Sequence, residues 1–224
     1  MQVHTAAHAS KFPAAAFDLR APTRSGPPAG TQMVLSKDEE LFAEGDEADC
    51  FYQIVSGAIR SYKLLSDGRR QIDAFHLPGD IFGLEAGAEH RFSAEALGNA
   101  SVIAYRRSRL AALIQDDPAF RDKLMSSTLR SLERAQDHML LLGRKTAQEK
   151  LATFLLDLAQ RICGDDEHLE LPMQRSDIAD HLGLTIETVS RTLTQFARSG
   201  LIQLLPASRS IGLCNRSALQ GLNA

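Results

Sequence analysis

Glu187, Ser190, Arg191 and Thr194 recur at helical spacing, so one helix face carries a carboxylate acceptor, a forked donor and two hydroxyls. Such a set can read base edges in a DNA major groove. Arg191 matches guanine O6 and N7 with two parallel donors, Glu187 accepts from an exocyclic base amine, and Ser190 bonds to several base edges. Each good arginine-type contact discriminates by about 1–3 kcal/mol. The competing reading is the solvated side of an ordinary helix, and the neighbouring sequence weighs against it.

A reading helix must bury its other side, and Ile186, Val189, Leu193 and Phe196 form the apolar set for that, with Thr185 placed to cap the N-terminus. Before it, Ser176 can cap a shorter helix that buries Ile178, Ala179 and Leu182. Gly183 then supplies the left-handed turn between the two. After it, LIQLLPASRSIGLC reads as a β-hairpin with a polar turn at Ala207 to Ser210. Arg209 at its tip is a candidate phosphate contact or a solvated turn arginine. Two short helices, a glycine turn and a hairpin are the parts of a winged helix-turn-helix.

The stretch from Gln174 to Leu204 resembles the DNA-binding domain of the CRP/FNR family of bacterial regulators, and GLTIETVSR is similar to the FNR-type recognition helix with its ExxSR pattern. The resemblance implies base reading by Glu187, Ser190 and Arg191, on a palindrome of TTGAT half-sites separated by a four-base spacer. Ile186 stands where the cyclic-AMP receptor branch carries a base-reading arginine, so that branch's DNA preference is not expected. Arg175 falls where the family has a phosphate-contacting basic residue; Thr185, Thr188 and Arg209 complete the candidate phosphate contacts.

At 224 residues, 44% hydrophobic and 24% charged, the chain has the composition of a globular protein with room for two domains. A net charge of -3 lends no global support to nucleic-acid binding, so a basic DNA surface must be local. Cys50, Cys163 and Cys214 are far apart and odd in number, which favours reduced thiols in a cytoplasm over a disulfide framework. No apolar run approaches a membrane span.

Residues 1 to 30 are rich in Ala, Pro, Gly and Ser and read as a flexible arm. From 31 to 115, short β-favouring runs alternate with glycines, a pattern expected of an antiparallel barrel or jelly roll. Its FAEGD, VSGAIR and LPGDIFG segments resemble the cyclic-nucleotide-binding domain of the same family. Residues 116 to 143 read as one long helix, in which Met125, Thr128, Leu132, Ala135, Met139 and Leu142 make a seam in steps of three and four. That spacing suits a two-stranded coiled coil or packing on the chain's own barrel; the resemblance favours a dimer helix, and a two-fold dimer suits a palindrome. Residues 144 to 224 form the DNA-binding domain, opened by a capping box from Thr146 to Glu149 and a helix burying Leu151, Phe154, Leu155 and Leu158. The expected class is thus α+β: jelly roll, long dimerisation helix, winged helix-turn-helix.

The resemblance also frames the signal. Cyclic-nucleotide binders of the family use a Gly-Glu pair and an Arg-Ser pair for ribose and phosphate; here Gly83 is followed by Leu84 and Arg91 by Phe92, the hydroxyl shifting to Ser93. Cyclic AMP is therefore not expected, because a site built on buried hydrogen bonds does not tolerate their loss. Oxygen sensing through an iron-sulfur cluster needs several nearby thiolates, and residues 1 to 49 hold no cysteine. His76 lies where haem-dependent relatives carry a histidine, but a lone histidine is more often structural, and that is the reading preferred for it. No cofactor or metal is assigned, and no catalytic constellation is found. The chain is identified as a member of the FixK-like branch, which implies a homodimeric activator that recruits RNA polymerase, often for low-oxygen or nitrogen-fixation genes. The residues from Glu85 to His90 are a candidate polymerase contact, and a ligand- or haem-gated regulator is the alternative.

Overall fold

A computed structural model describes residues 30–162, 168–205 and 209–222. Residues 1–29 of the expected arm, Cys163 and residues 206–208 of the hairpin turn lie outside the described residues.

The N-terminal half consists of β1 (Thr31–Leu35), β2 (Glu40–Phe42), β3 (Cys50–Ser56), β4 (Ile59–Leu64), β5 (Arg70–His76), β6 (Ile81–Phe82), β7 (Ser93–Ala96) and β8 (Ala100–Arg106). They form two antiparallel sheets, ordered β1-β8-β3-β6 and β2-β7-β4-β5. Alternating residues of each sheet bury Leu35, Ile54 and Val102 against Phe42, Ile59, Ala94 and Ala96. The result is a two-sheet jelly-roll architecture, not a barrel closed by a continuous ladder. Gly57 makes the β3–β4 turn at φ +77°, where a Cβ would lie 2.4 Å from the carbonyl oxygen of Asn99, so neither the conformation nor the space admits a side chain.

A short helix, α1 (Leu110–Asp116), leads into α2 (Pro118–Arg144), which Asp117 caps by accepting from the amide of Phe120 at 3.0 Å. One side of α2 buries Phe120, Leu124, Ser127 and Leu141, and the Ser127 hydroxyl accepts from the Ile81 amide at 3.0 Å. The C-terminal half adds α3 (Ala147–Ile162), α4 (Arg175–Leu182), α5 (Ile186–Arg198) and α6 (Arg216–Gly221). Its sheet, ordered β10-β11-β9, joins β9 (His168–Glu170), β10 (Ile202–Leu204) and β11 (Ser210–Leu213). β9 and α6 escape the sequence reading because three and six residues are too short for a periodicity.

The capping box of α3 forms as expected: the Thr146 amide donates to Glu149 at 2.6 Å and the Glu149 amide to the Thr146 hydroxyl at 3.4 Å. Leu151, Phe154, Leu155 and Leu158 of α3 are buried with Ile178, Leu182, Val189, Leu193 and Phe196. This core is continuous with Ile72, Phe75 and Leu77 from the N-terminal half. The two halves are therefore packed on one another, a feature absent from the sequence reading.

Candidate nucleic-acid interface

Thr185 caps α5, its hydroxyl accepting from the Thr188 amide at 3.2 Å and lying 3.0 Å from the Thr188 hydroxyl. Gly183 ends α4 in the left-handed region at φ 61°. Two expectations need correction. The N-cap of α4 lies two residues earlier than Ser176: it is Gln174, whose amide donates to Asp177 at 2.9 Å, because a carboxylate three residues into the helix outcompetes a serine hydroxyl placed inside it. Ile186 is 44% exposed, since the first residue of α5 projects beyond the edge of the core that Val189, Leu193 and Phe196 enter.

The outer face of α5 carries Glu187 and Arg191, both exposed, with Ser190 half-buried between them. Ser190, Arg191, Thr194, Gln195 and Arg198 line an open groove along this face. Gln195 and Arg198 follow from the same spacing as Arg191, four and seven residues on, but lie beyond the ExxSR pattern that marks the reading face in the sequence. Arg175, exposed at the start of α4, reaches across so that Nη1 lies 3.5 Å from the Ser190 hydroxyl. Two helix N-termini, five exposed or half-exposed hydroxyl and amide side chains and three arginines thus converge on one surface, giving local positive charge on a chain of net charge -3. Arg209 is exposed in the hairpin, where its carbonyl accepts from the Leu171 amide at 3.2 Å. The reading unit is braced from below by Lys150 of α3, whose Nζ donates to the carbonyl of Leu182 at 3.1 Å, at the C-terminus of α4.

On α2, Met125, Leu132 and Met139 are 60%, 55% and 66% exposed, and Thr128 and Ala135 are exposed beside them. Leu129 and Leu140 extend this apolar stripe and were not in the sequence-derived seam. Leu142 differs: it is half-buried against the C-terminal core and sits over Gly183. The helix face that packs on the chain's own sheets is the other one, containing Phe120, Leu124 and Ser127.

In the N-terminal half, Leu84 lies at the surface, and the Ser93 hydroxyl accepts from the Glu44 amide at 2.9 Å. The Arg91 guanidinium is exposed, 5.9 Å from the Phe92 ring centroid. His76 stacks on Phe82 at 4.3 Å, with Nε2 3.0 Å from the Ser61 hydroxyl. Enclosure holds its ring well below the ordinary histidine range, at about 4. In the segment from Glu85 to His90, only Ala86 to Glu89 are exposed; Glu85 is half-buried and His90 is buried on Phe42, the rings 3.7 Å apart. Cys50 is half-buried, its thiol pushed up to about 11 by burial, and Cys214 is exposed.

Comparison with known proteins agrees with this architecture. Residues 32–117 match a cyclic nucleotide-binding domain and residues 149–222 a Crp-like helix-turn-helix domain. The chain is 48% identical over 199 residues to the nitrogen fixation regulation protein FixK of Azorhizobium caulinodans, covering 87% of this chain and 80% of that relative. It is 43% identical to FixK of Rhizobium meliloti, covering 88% and 90% of the two chains. The structure of FixK2 from Bradyrhizobium japonicum superposes with a TM-score of 0.80 at 50% identity, over 88% of this chain and 98% of that one. Among the described residues, no helix is long and apolar enough to cross a membrane. With relatives this similar over most of their own length, the chain belongs to the CRP/FNR family of DNA-binding transcription regulators, in its FixK-like branch.

Proposed function

We propose that the chain is a homodimeric activator that reads a TTGAT-N4-ATCAA palindrome without cyclic AMP or an iron-sulfur cluster and recruits RNA polymerase. The observation that carries this reading is the outer face of α5, where Glu187, Ser190 and Arg191 stand together on a helix whose other side is fully packed. Arg191 reads guanine, Glu187 accepts a base amine, and Ser190 bonds to a base edge. The methyls of exposed Ile186 suit the C5-methyl of thymine. Thr185, Thr188, Arg175 and Arg209 take phosphates.

The exposed stripe of Met125, Thr128, Leu132, Ala135 and Met139 supports a dimer helix, because a chain of this size does not leave a continuous apolar stripe to water without use. Each protomer then contributes residues 31–115 as a sensory-type domain, 116–143 as the dimer helix and 144–224 as the reading head. Leu84 and the engaged Ser93 support independence from cyclic AMP. The names of the FixK relatives support control of nitrogen-fixation genes, low-oxygen genes are what the family resemblance adds, and the exposed Ala86 to Glu89 turn is the proposed polymerase contact.

The test is fluorescence anisotropy of the palindrome in air at fixed salt, with and without cyclic AMP, beside a duplex scrambled in one half-site. Tight binding without ligand that the scramble abolishes is expected. Binding only with cyclic AMP would overturn the reading of Leu84 and Phe92.

A further inference from the structure

The reading head is bolted to the N-terminal half. Asp177 in the first turn of α4 has a side chain only 2% exposed, yet its Oδ1 accepts from Arg60 Nη1 at 2.8 Å and from Arg70 Nη2 at 2.7 Å. Both arginines come from the β4–β5 hairpin. Arg60 is itself fixed on β7, where Nε donates to Glu95 at 2.6 Å, and Arg70 Nε also donates to Asp180 at 2.9 Å. The other oxygen of Asp177 caps α4 through the Gln174 amide, so one carboxylate both starts the helix and docks it. Beside it, His181 Nδ1 lies 3.1 Å from the Ile72 carbonyl, and Gln71 donates to the His181 carbonyl at 3.3 Å. On the far side of the junction, Arg161 of α3 donates to Asp80 at 2.9 Å and to the Phe75 carbonyl at 2.8 Å.

A buried carboxylate is tolerated only where its partners are, because leaving it unpaired carries a large desolvation cost. Ion pairs of this kind add little net stability against an apolar contact, but they select one geometry sharply. The apolar contacts of Phe75, Phe154 and His181 allow the head several neighbouring angles; two guanidinium groups converging on one buried carboxylate oxygen narrow these to one.

We infer that Arg60 and Arg70 are positioning residues for DNA reading: they clamp Asp177 and so fix the angle of the recognition helix relative to α2 with no ligand bound. The spacing between the two recognition helices of a dimer, and hence the spacer length that is read, is then set by a contact 107 and 117 residues apart in sequence. This rests on the dimer and palindrome proposed above.

The test uses the full-length chain as wild type, Arg60→Gln/Arg70→Gln, Arg60→Lys/Arg70→Lys, and Asp177→Asn, which keeps a capping acceptor but removes the charge. Hydrogen exchange of the free protein reports the clamp, and anisotropy on duplexes with four-base and six-base spacers reports aiming. In the Gln pair and in Asp177→Asn, the expected result is faster exchange confined to β5 and the first turn of α4. The affinity for the four-base spacer should fall at least tenfold and its preference over the six-base spacer should collapse. Rejection of a scrambled half-site should persist, and the Lys pair should recover most of the loss. Unchanged exchange and spacer preference in both neutralised variants would overturn the inference, as would faster exchange spread evenly through α3 and α5, which marks general destabilisation. A wild type that ignores the palindrome while exchange responds as expected would sink the operator reading and leave the clamp supported.

Discussion

The outer face of α5 and the junction between the β4–β5 hairpin and α4 are both polar surfaces, and they are built in opposite ways. Glu187, Ser190 and Arg191 lie within one and a half turns of helix, with Glu187 and Arg191 open to solvent. Their chemistry is legible because helical periodicity alone places them together. Arg60, Arg70 and Asp177 are drawn together from three elements, and Asp177 is buried. One surface is free to meet a ligand; the other has already spent its hydrogen bonds inside the chain. The proposed reader is local, and the clamp inferred to aim it is not.

The sharpest way to break that contrast is to remove the two-fold relation proposed for the dimer. Leu132→Asp with Met139→Asp places charges in the exposed stripe of α2 and should leave a folded monomer. Because linkage of two half-site contacts is worth about 10²–10⁴-fold, the palindrome affinity should fall by that order, with mass read by analytical ultracentrifugation. A dimer of unchanged mass and affinity would place the interface elsewhere.

Arg191→Ala tests the open surface. Loss of about 1–3 kcal/mol per half-site is expected, roughly 5- to 150-fold, concentrated on the guanine position so that the variant no longer distinguishes a substitution there. Equal weakening on all sequences would reassign Arg191 to the phosphates.

The enclosed side is sharpened by pH. Burial holds His76 at about 4 and His181 at about 3, both below the ordinary value of 6.5. The unfolded chain gains these protons below about pH 6.5 whereas the folded chain stays neutral, so the stability they contribute is complete above that pH and is lost as pH falls toward the folded values. The slope is on the order of 1.4 kcal/mol per pH unit for each ring. Thermal unfolding should thus move to lower temperature between pH 7 and 5, and a flat profile would count against both enclosures.

The smallest effect is assigned to Arg175→Ala. Affinity should drop a few-fold on specific and scrambled duplexes alike, and the dependence on salt should lessen by about one unit of slope per protomer. A sequence-selective loss would instead show that its contact with Ser190 orients a base reader.

The elements with strong local signals were legible: the Thr146 and Thr185 caps, the Gly183 turn, the apolar faces of α3 and α5, and the α2 stripe as far as Met139. Misreadings fell where one local rule met a stronger competitor, either a neighbour in the same turn or a distant element. Ser176 yielded the cap to Gln174 because Asp177 reaches back to the Gln174 amide. Leu142 keeps the spacing of the stripe but lies under the C-terminal core, and Ile186 keeps the spacing of a buried face but lies beyond the core's edge. Periodicity gives a direction around a helix, not what stands in that direction.

By itself, the sequence determined the order of the parts and the chemistry of the reading face, since both depend on contacts within a few residues along the chain. Only the tertiary structure decided that the jelly roll is two facing sheets, that the two halves share one core, and that Arg60 and Arg70 meet Asp177. Buried charge demands a partner, but nothing local names it; the partner is chosen when distant elements pack, and that choice fixes where the reading helix points.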